Sequence, residues 1–315
     1  MATKITLPPP LAVALKRQAM ALDAGIVRRL RAAGHLSPPL LHDTRVVTKR
    51  LRAWWRLALP LARRKSVRRA QGRLTVVAQL LAPARDTQVM HQVLNRLSPR
   101  AQAAPTRAAL ETVDRQLTTG GSPAAPGAAA TFAPLRTQLI RAFKSDAAAW
   151  RRLPVAAQPD DPLVAELART YRRARRRGRL AARRETPGEL HAWRTLVKAH
   201  LHQMEFFCAG RRGRWAQRIR DLARLGRLMG RSQDLAILDG WVDWRASTGA
   251  LNRKAARRVR AFLRRRQQAL QQRSARLGGR LFTGKPKLFA AQLAGTSRIP
   301  AAPKPPRSRR TAAGR

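Results

Sequence analysis

His42 is followed by Arg45, Lys49, Arg52 and Arg56 at steps of three, four, three and four residues in the stretch LHDTRVVTKRLRAWWR. That is the rhythm of a helix, and it gathers all five groups within about 80° of arc. Val47, Leu51, Trp54, Trp55 and Ala58 fall on the far side, so a basic stripe is backed by a core face. A second ladder, LHAWRTLVKAHLH, puts His191, Arg194, Lys198 and His202 on an equivalent stripe, with Trp193, Leu196, His200, Met204 and Phe207 opposite. The two leading histidines are 149 residues apart. Cations at i,i+3 and i,i+4 repel by roughly a few tenths of a kcal/mol per pair. A helix that stacks them regardless is suited to holding an anion; the plainer reading, a solvated face, explains one such stripe better than two. Guanidinium forks offer bidentate phosphate contacts, lysine acts as a point charge, and a nearby phosphate favours protonated histidine.

The same residues argue against catalysis. His42 and Asp43 superficially resemble a metal-binding pair, but Asp43 lies about 100° round the helix from His42. Phosphoryl transfer normally needs carboxylate-held Mg²⁺. The acids here are few and dispersed, and no P-loop exists. The chain is therefore read as non-catalytic, with no metal and no cofactor. His200 points to the apolar side and reads as a satisfied core histidine. Trp54, Trp55, Trp193 and Trp215 read as core rather than as base-stacking platforms, and His35 and His91 receive no role.

These ladders sit in a chain of 315 residues with 66 Lys and Arg against 16 Asp and Glu, a formal charge of +50. Such an excess opposes compaction by self-repulsion and calls for a densely negative partner: nucleic acid, an anionic membrane surface or an inorganic polyanion. Hydrophobic residues, at 44%, are enough for a core. Cys208 is the only cysteine, which excludes an internal disulfide and a cysteine zinc site. The opening MATKITLPPPLAVALK is too short in apolar residues for a signal peptide, and no stretch approaches the roughly 18 needed to span a membrane. A cytoplasmic protein without membrane insertion is expected.

Alanine, leucine and arginine dominate, strand-like alternation is nearly absent, and the fold class is all-α. Helices are expected at 11–33, 41–63, 67–82, 86–97, 106–118, 132–152, 162–180, 188–208, 212–230, 234–247 and 252–277. Breaks are expected at 37–39, 118–127, 153–162, 186–188 and 247–249, where proline, glycine and serine cluster. Residues 283–315, carrying KPK and APKPPRSRR, read as a disordered basic tail, and 1–7 as a short extension. The repeat extends past the ladders. Asp86 follows His42 by 44 residues and Asp234 follows His191 by 43; each is expected to open a new helix as a cap or first-turn residue. Two homologous halves, 8–155 and 160–282, follow.

These residues resemble the CHAD family, the conserved-histidine α-helical domain, over about residues 8–282. A pattern H-x-x-R-V-x-x-[KR]-R-L-R is met by His42, Arg45, Val46, Lys49, Arg50, Leu51 and Arg52. A junction pattern L-G-x-x-R-D-x-x-V is met in part by Leu81, Arg85, Asp86 and Val89. In the second half H-x-W-R-x-x-V-K is met by His191, Trp193, Arg194, Val197 and Lys198, and L-G-x-L-x-x-x-x-D-L by Leu225, Gly226, Leu228, Asp234 and Leu235. Three departures stand out. The second ladder continues Lys198-Ala199-His200-Leu201-His202 where K-R-L-R-Y is common, the first junction lacks its glycine, and Gln233 stands where the first half has Arg85. The resemblance implies two pseudo-symmetric four-helix bundles around a central basic cleft. It implies inorganic polyphosphate as the ligand, held without catalysis by His42, Arg45, Lys49, Arg50, Arg52, Arg56, His191, Arg194, Lys198 and His202, and attachment to polyphosphate granules. Nucleic acid remains a secondary partner, favoured by total charge and the RSRR tail but by no nucleic-acid-binding motif.

Overall fold

The computed structural model describes residues 10–119, 128–155 and 161–294, and among them there is no strand. Eleven α-helices follow in order: α1 Leu11–Ala32, α2 Pro38–Leu57, α3 Arg64–Leu80, α4 Ala82–Leu97, α5 Ala104–Thr119, α6 Ala128–Arg151, α7 Asp161–Arg184, α8 Pro187–Phe207, α9 Arg214–Ser247, α10 Arg253–Leu281 and α11 Pro286–Ala294. No described helix is long and apolar enough to cross a membrane.

The prolines expected to mark breaks before the ladders are instead part of the ladder helices. Ser37 caps α2 by accepting from the Leu40 N–H, with Pro38 in the first turn. Thr186 caps α8 by accepting from the Glu189 N–H, with Pro187 in the first turn. Proline is suited to that position because the N–H it lacks has no helical partner there. Both ladder helices thus start at the same register, four residues before their histidine.

The aspartate-led junctions differ from expectation. α4 already starts at Ala82, ahead of Asp86, and α9 runs unbroken through Asp234. Pro83 supplies the reason for the first break: it removes a helical N–H and crowds the preceding turn, so α3 ends at Leu80. At the matching place in the second half stands Ser232, and the helix continues. One helix, α9, therefore does the work of two, α3 and α4.

In the first half α1, α2, α3 and α6 neighbour one another in a closed ring; in the second, α7, α8, α9 and α10 do the same. The rings share one large apolar core, in which Leu15, Leu51, Trp55, Phe143 and Trp150 join Leu167, Val197, Met204 and Leu225. A second core is formed by α4 and α5 with the C-terminal part of α9 and the N-terminal part of α10. The halves meet directly where α2 packs on α8. There Trp54 Nε1 donates to the His202 carbonyl (3.1 Å) and Gln203 Nε2 donates to the Ala53 carbonyl (3.0 Å). Trp54 and Gln203, like Ala53 and His202, are separated by the same 149 residues as the leading histidines. The two bonds are therefore equivalents of each other, exchanged across the seam as a local twofold requires.

The tail assignment needs correction at its start. Residues 286–294 form α11, packed on α7, with Phe289 buried and stacked on Tyr171 at 4.5 Å between centroids. KPKLFAAQLA is a proline-started helix whose Phe289 and Leu293 join the core while Leu288 stays exposed. The rest of the expected tail, 295–315, and the extension 1–7 lie outside the described residues.

Candidate functional site

Along α2 the ladder grades from exposed to buried. His42 is exposed, and Asp43 beside it turns to α1, where it pairs with Arg29 at 2.5 Å. Arg45 is half-buried and its Nη1 donates to the Leu81 carbonyl (3.4 Å), at the end of α3. Lys49 is half-buried on the same stripe. Arg50, off the stripe and about 80° round the helix from His42, turns to α8 and pairs with Glu205 at 3.3 Å. Burial lowers the pKa of Arg52. Arg56 is lowered too, first by burial, then by Arg173 of α7 and by Arg52, against a smaller pull from Glu166. One of its guanidinium nitrogens, Nη1, is buried without a hydrogen-bond partner among the described residues.

Along α8 the same grading recurs. His191 is exposed and Arg194 half-buried. Arg194 Nη2 lies 3.8 Å from where a Cβ at Gly230 would stand. Gly230 occupies in α9 the place of Leu81 in the first half, so Arg45 and Arg194 reach matching points on their neighbouring helices. Lys198 runs against Gly226, whose absent side chain makes room for its Cε and Nζ. Burial lowers the Lys198 pKa, as do Arg194 and Arg227, while Glu205 works the other way.

His202 lies in the seam between α2 and α8. It is buried, its Nδ1 lies 3.0 Å from Glu205, and burial lowers its pKa despite that carboxylate. Burial would raise Glu205, but the hydrogen bond and charge of His202 and the charge of Arg50 outweigh it and hold Glu205 below its ordinary value. Of the ten candidate site residues, Arg50 and His202 meet Glu205 at the α2–α8 seam. The other eight remain along the stripes. No group of three or more His, Cys, Asp or Glu is placed to hold a metal ion among the described residues.

The profile of the CHAD domain matches residues 28–243, more than half the chain, and that span contains both ladders. The chain belongs to the CHAD family. In fold it is similar to the crystal structure of the CHAD domain from the plant Ricinus communis, with a TM-score of 0.61 and 18% identity. The likeness covers 90% of this chain and 95% of that one. No curated protein matches its sequence.

The CHAD ladders are completed by residues that spacing did not single out. Arg173 lies in the run RTYRRARRRG, where no arginine is distinguishable from its neighbours. Arg227 belongs to a helix that only the fold brings to Lys198. Glu205 did carry a signal: it follows His202 by three residues, on the same side of α8. The core assignments hold for Trp54, Trp55, Trp193 and Trp215, all buried. His200 is fully buried among Tyr171, Phe282 and Phe289, but neither ring nitrogen has a hydrogen-bond partner among the described residues. It is a core histidine, though not a satisfied one. Burial and then Arg218 keep its pKa far below the ordinary value, so it is neutral.

Proposed function

We propose that this CHAD protein binds inorganic polyphosphate, without catalysis, along its two histidine-led helices, and that this binding attaches it to polyphosphate granules. The observation that carries the reading is the crowding of cations around two half-buried ones, Arg56 and Lys198. Arg173 and Arg52 repel Arg56 against the pull of Glu166, and Arg194 and Arg227 repel Lys198 against the pull of Glu205. Arg56 and Lys198 are each disfavoured twice, by lost hydration and by repulsion from neighbouring cations. A phosphate chain reverses both effects, since its oxygens replace water and its charge outweighs the repulsion. A polymer with a negative charge on every unit and no bases needs only spaced donors along a track, which is what the two graded stripes supply.

Nucleic acid is the second reading, because a net charge of +50 attracts any polyanion through counterion release. Competition at physiological ionic strength separates the two. Labelled duplex DNA bound to the protein is titrated with long-chain polyphosphate, and the reverse titration is run alongside. Polyphosphate is expected to displace DNA at the lower concentration of phosphate units. Displacement of polyphosphate by less DNA would make nucleic acid the ligand. Shortening of the polyphosphate on incubation with Mg²⁺ would overturn the non-catalytic part.

A further inference from the structure

The α9–α10 hairpin carries a second set of cations, on a face turned away from the histidine-led helices. Met229 and Gln233 of α9 border a hollow of about 190 Å³ shared with His191 and Arg194. Leu228 and Arg231 lie on the other side of the same helix, about 100–200° round from Met229. There α9 presents Arg224 and Arg231, seven residues apart, and α10 presents Arg266, Arg273 and Arg280, also at steps of seven. Seven residues are nearly two full turns, so each set forms a straight row, with about 10.5 Å between successive side chains.

The two rows border one groove. A hollow of about 430 Å³ is lined by Arg224, Arg273 and Arg280. A neighbouring one of about 340 Å³ is lined by Arg231, Arg266 and again Arg273, with Arg96 reaching in from α4. Leu228, Leu270 and Leu277 form an apolar floor between the rows. Asp234 is the one acid among these lining residues. No ion pair joins Arg224, Arg231, Arg273 or Arg280 to a carboxylate among the described residues, whereas Arg260, further along α10, pairs with both Asp239 and Asp243. The rows are thus left unneutralised while an arginine on the same helix is doubly matched.

We infer that this two-row groove is a second binding track for a phosphate chain, separate from the histidine-led ladders. Five arginines facing one another across an apolar floor suit a slender polyanion, which guanidinium forks grip from both sides. The row along α10 spans about 21 Å, enough for several phosphate groups in file. With both tracks filled, one molecule holds two chains, or two segments of one. This goes beyond the ladder reading, since no residue of the groove lies on α2 or α8.

The test counts chains. A short, size-selected polyphosphate is titrated into the full-length protein by calorimetry at physiological ionic strength. The groove variant carries Arg224→Gln, Arg231→Gln, Arg273→Gln and Arg280→Gln; all four side chains are exposed, and glutamine matches arginine in helix propensity. A charge control removes four exposed cations from α3 by Arg64→Gln, Lys65→Gln, Arg68→Gln and Arg69→Gln. The wild type and the control are expected to bind two chains and the groove variant one. A variant with Arg45, Lys49, Arg194 and Lys198 changed to Ala is expected to keep the groove chain and lose the other. Two chains bound by the groove variant, or one by the wild type, would overturn the second track. If the alanine variant still bound two chains while the groove variant bound one, the groove would stand and the ladder reading would fall.

Discussion

Gly226 stands in α9 where Lys198 needs room. A Cβ built there would come 2.9 Å from Lys198 Cε and 3.0 Å from its Nζ. The obstruction is the end of a flexible side chain, which can move aside, and alanine is better than glycine inside a helix by about 1 kcal/mol. Gly226→Ala is therefore expected to leave thermal stability unchanged or raised while weakening polyphosphate binding severalfold, because the ammonium is displaced from its track. A fall in stability with binding intact would contradict this placement of Lys198. A different residue-scale effect comes from the buried acids of the first half. Asp23 is fully buried with neither carboxylate oxygen hydrogen-bonded among the described residues. Burial, then the charge of Asp146, push it up to about 9 against the pull of Arg73. Asp146 accepts from the indoles of Trp55 (2.9 Å) and Trp150 (3.1 Å), and burial still lifts it to about 6. The unfolded chain releases both protons at ordinary carboxylate values, so between those and the raised ones the folded state holds protons that the unfolded state has lost. Stability therefore falls as pH rises, through about 6 for Asp146 and on to about 9 for Asp23. Asp23→Asn should flatten the decline in melting temperature between about pH 6 and 9, which a thermal melt series reads directly. An unchanged slope would exclude Asp23 as its source.

At the scale of elements, much was legible because helical periodicity and caps act locally. Both ladders, their apolar backs and the all-α class follow from spacing alone. The misreadings concern residues whose role depends on a neighbour outside the sequence window. A helix end is expected at Gly230, yet α9 runs on through it to Ser247, with Arg194 lying beside Gly230. Residues 286–294 fall within the expected disordered tail, but Phe289 stacks on Tyr171 of α7 and Leu293 is buried in the core. Glu205, which meets both Arg50 and His202, is a partner of Arg50 only once α2 lies on α8. The pair Gly278-Gly279 near the end of α10 makes the same point testably. A Cβ on Gly278 would meet the ring of buried Trp193 well inside contact distance, whereas one on Gly279 meets nothing within 4 Å. Gly279→Ala should stabilise the protein by about 0.5–1 kcal/mol through backbone entropy. Gly278→Ala should destabilise it, because overpacking of roughly 1–3 kcal/mol exceeds that gain. Opposite shifts in melting temperature are expected; equal shifts would mean that α10 does not press on Trp193.

For the whole molecule the governing fact is a charge of +50 on one chain. A polyanion that binds the folded state should raise the melting temperature, and its affinity should fall steeply with added salt as counterion release loses its advantage. Diffuse attraction predicts the same trend, so salt dependence does not distinguish a track from mere charge. Changing Arg45, Lys49, Arg194 and Lys198 to Ala removes four charges, whereas deleting residues 303–315 removes five, those of Lys304, Arg307, Arg309, Arg310 and Arg315. The two variants are compared by polyphosphate affinity at physiological ionic strength, where charges beyond about 8 Å are largely screened, after circular dichroism has shown both to be folded. Charge-assisted bonds to phosphate are worth roughly 1.5–3 kcal/mol each, so the four alanines are expected to weaken binding many times more than the truncation. Equal losses in the two, or a larger loss from the truncation, would contradict binding along the histidine-led helices.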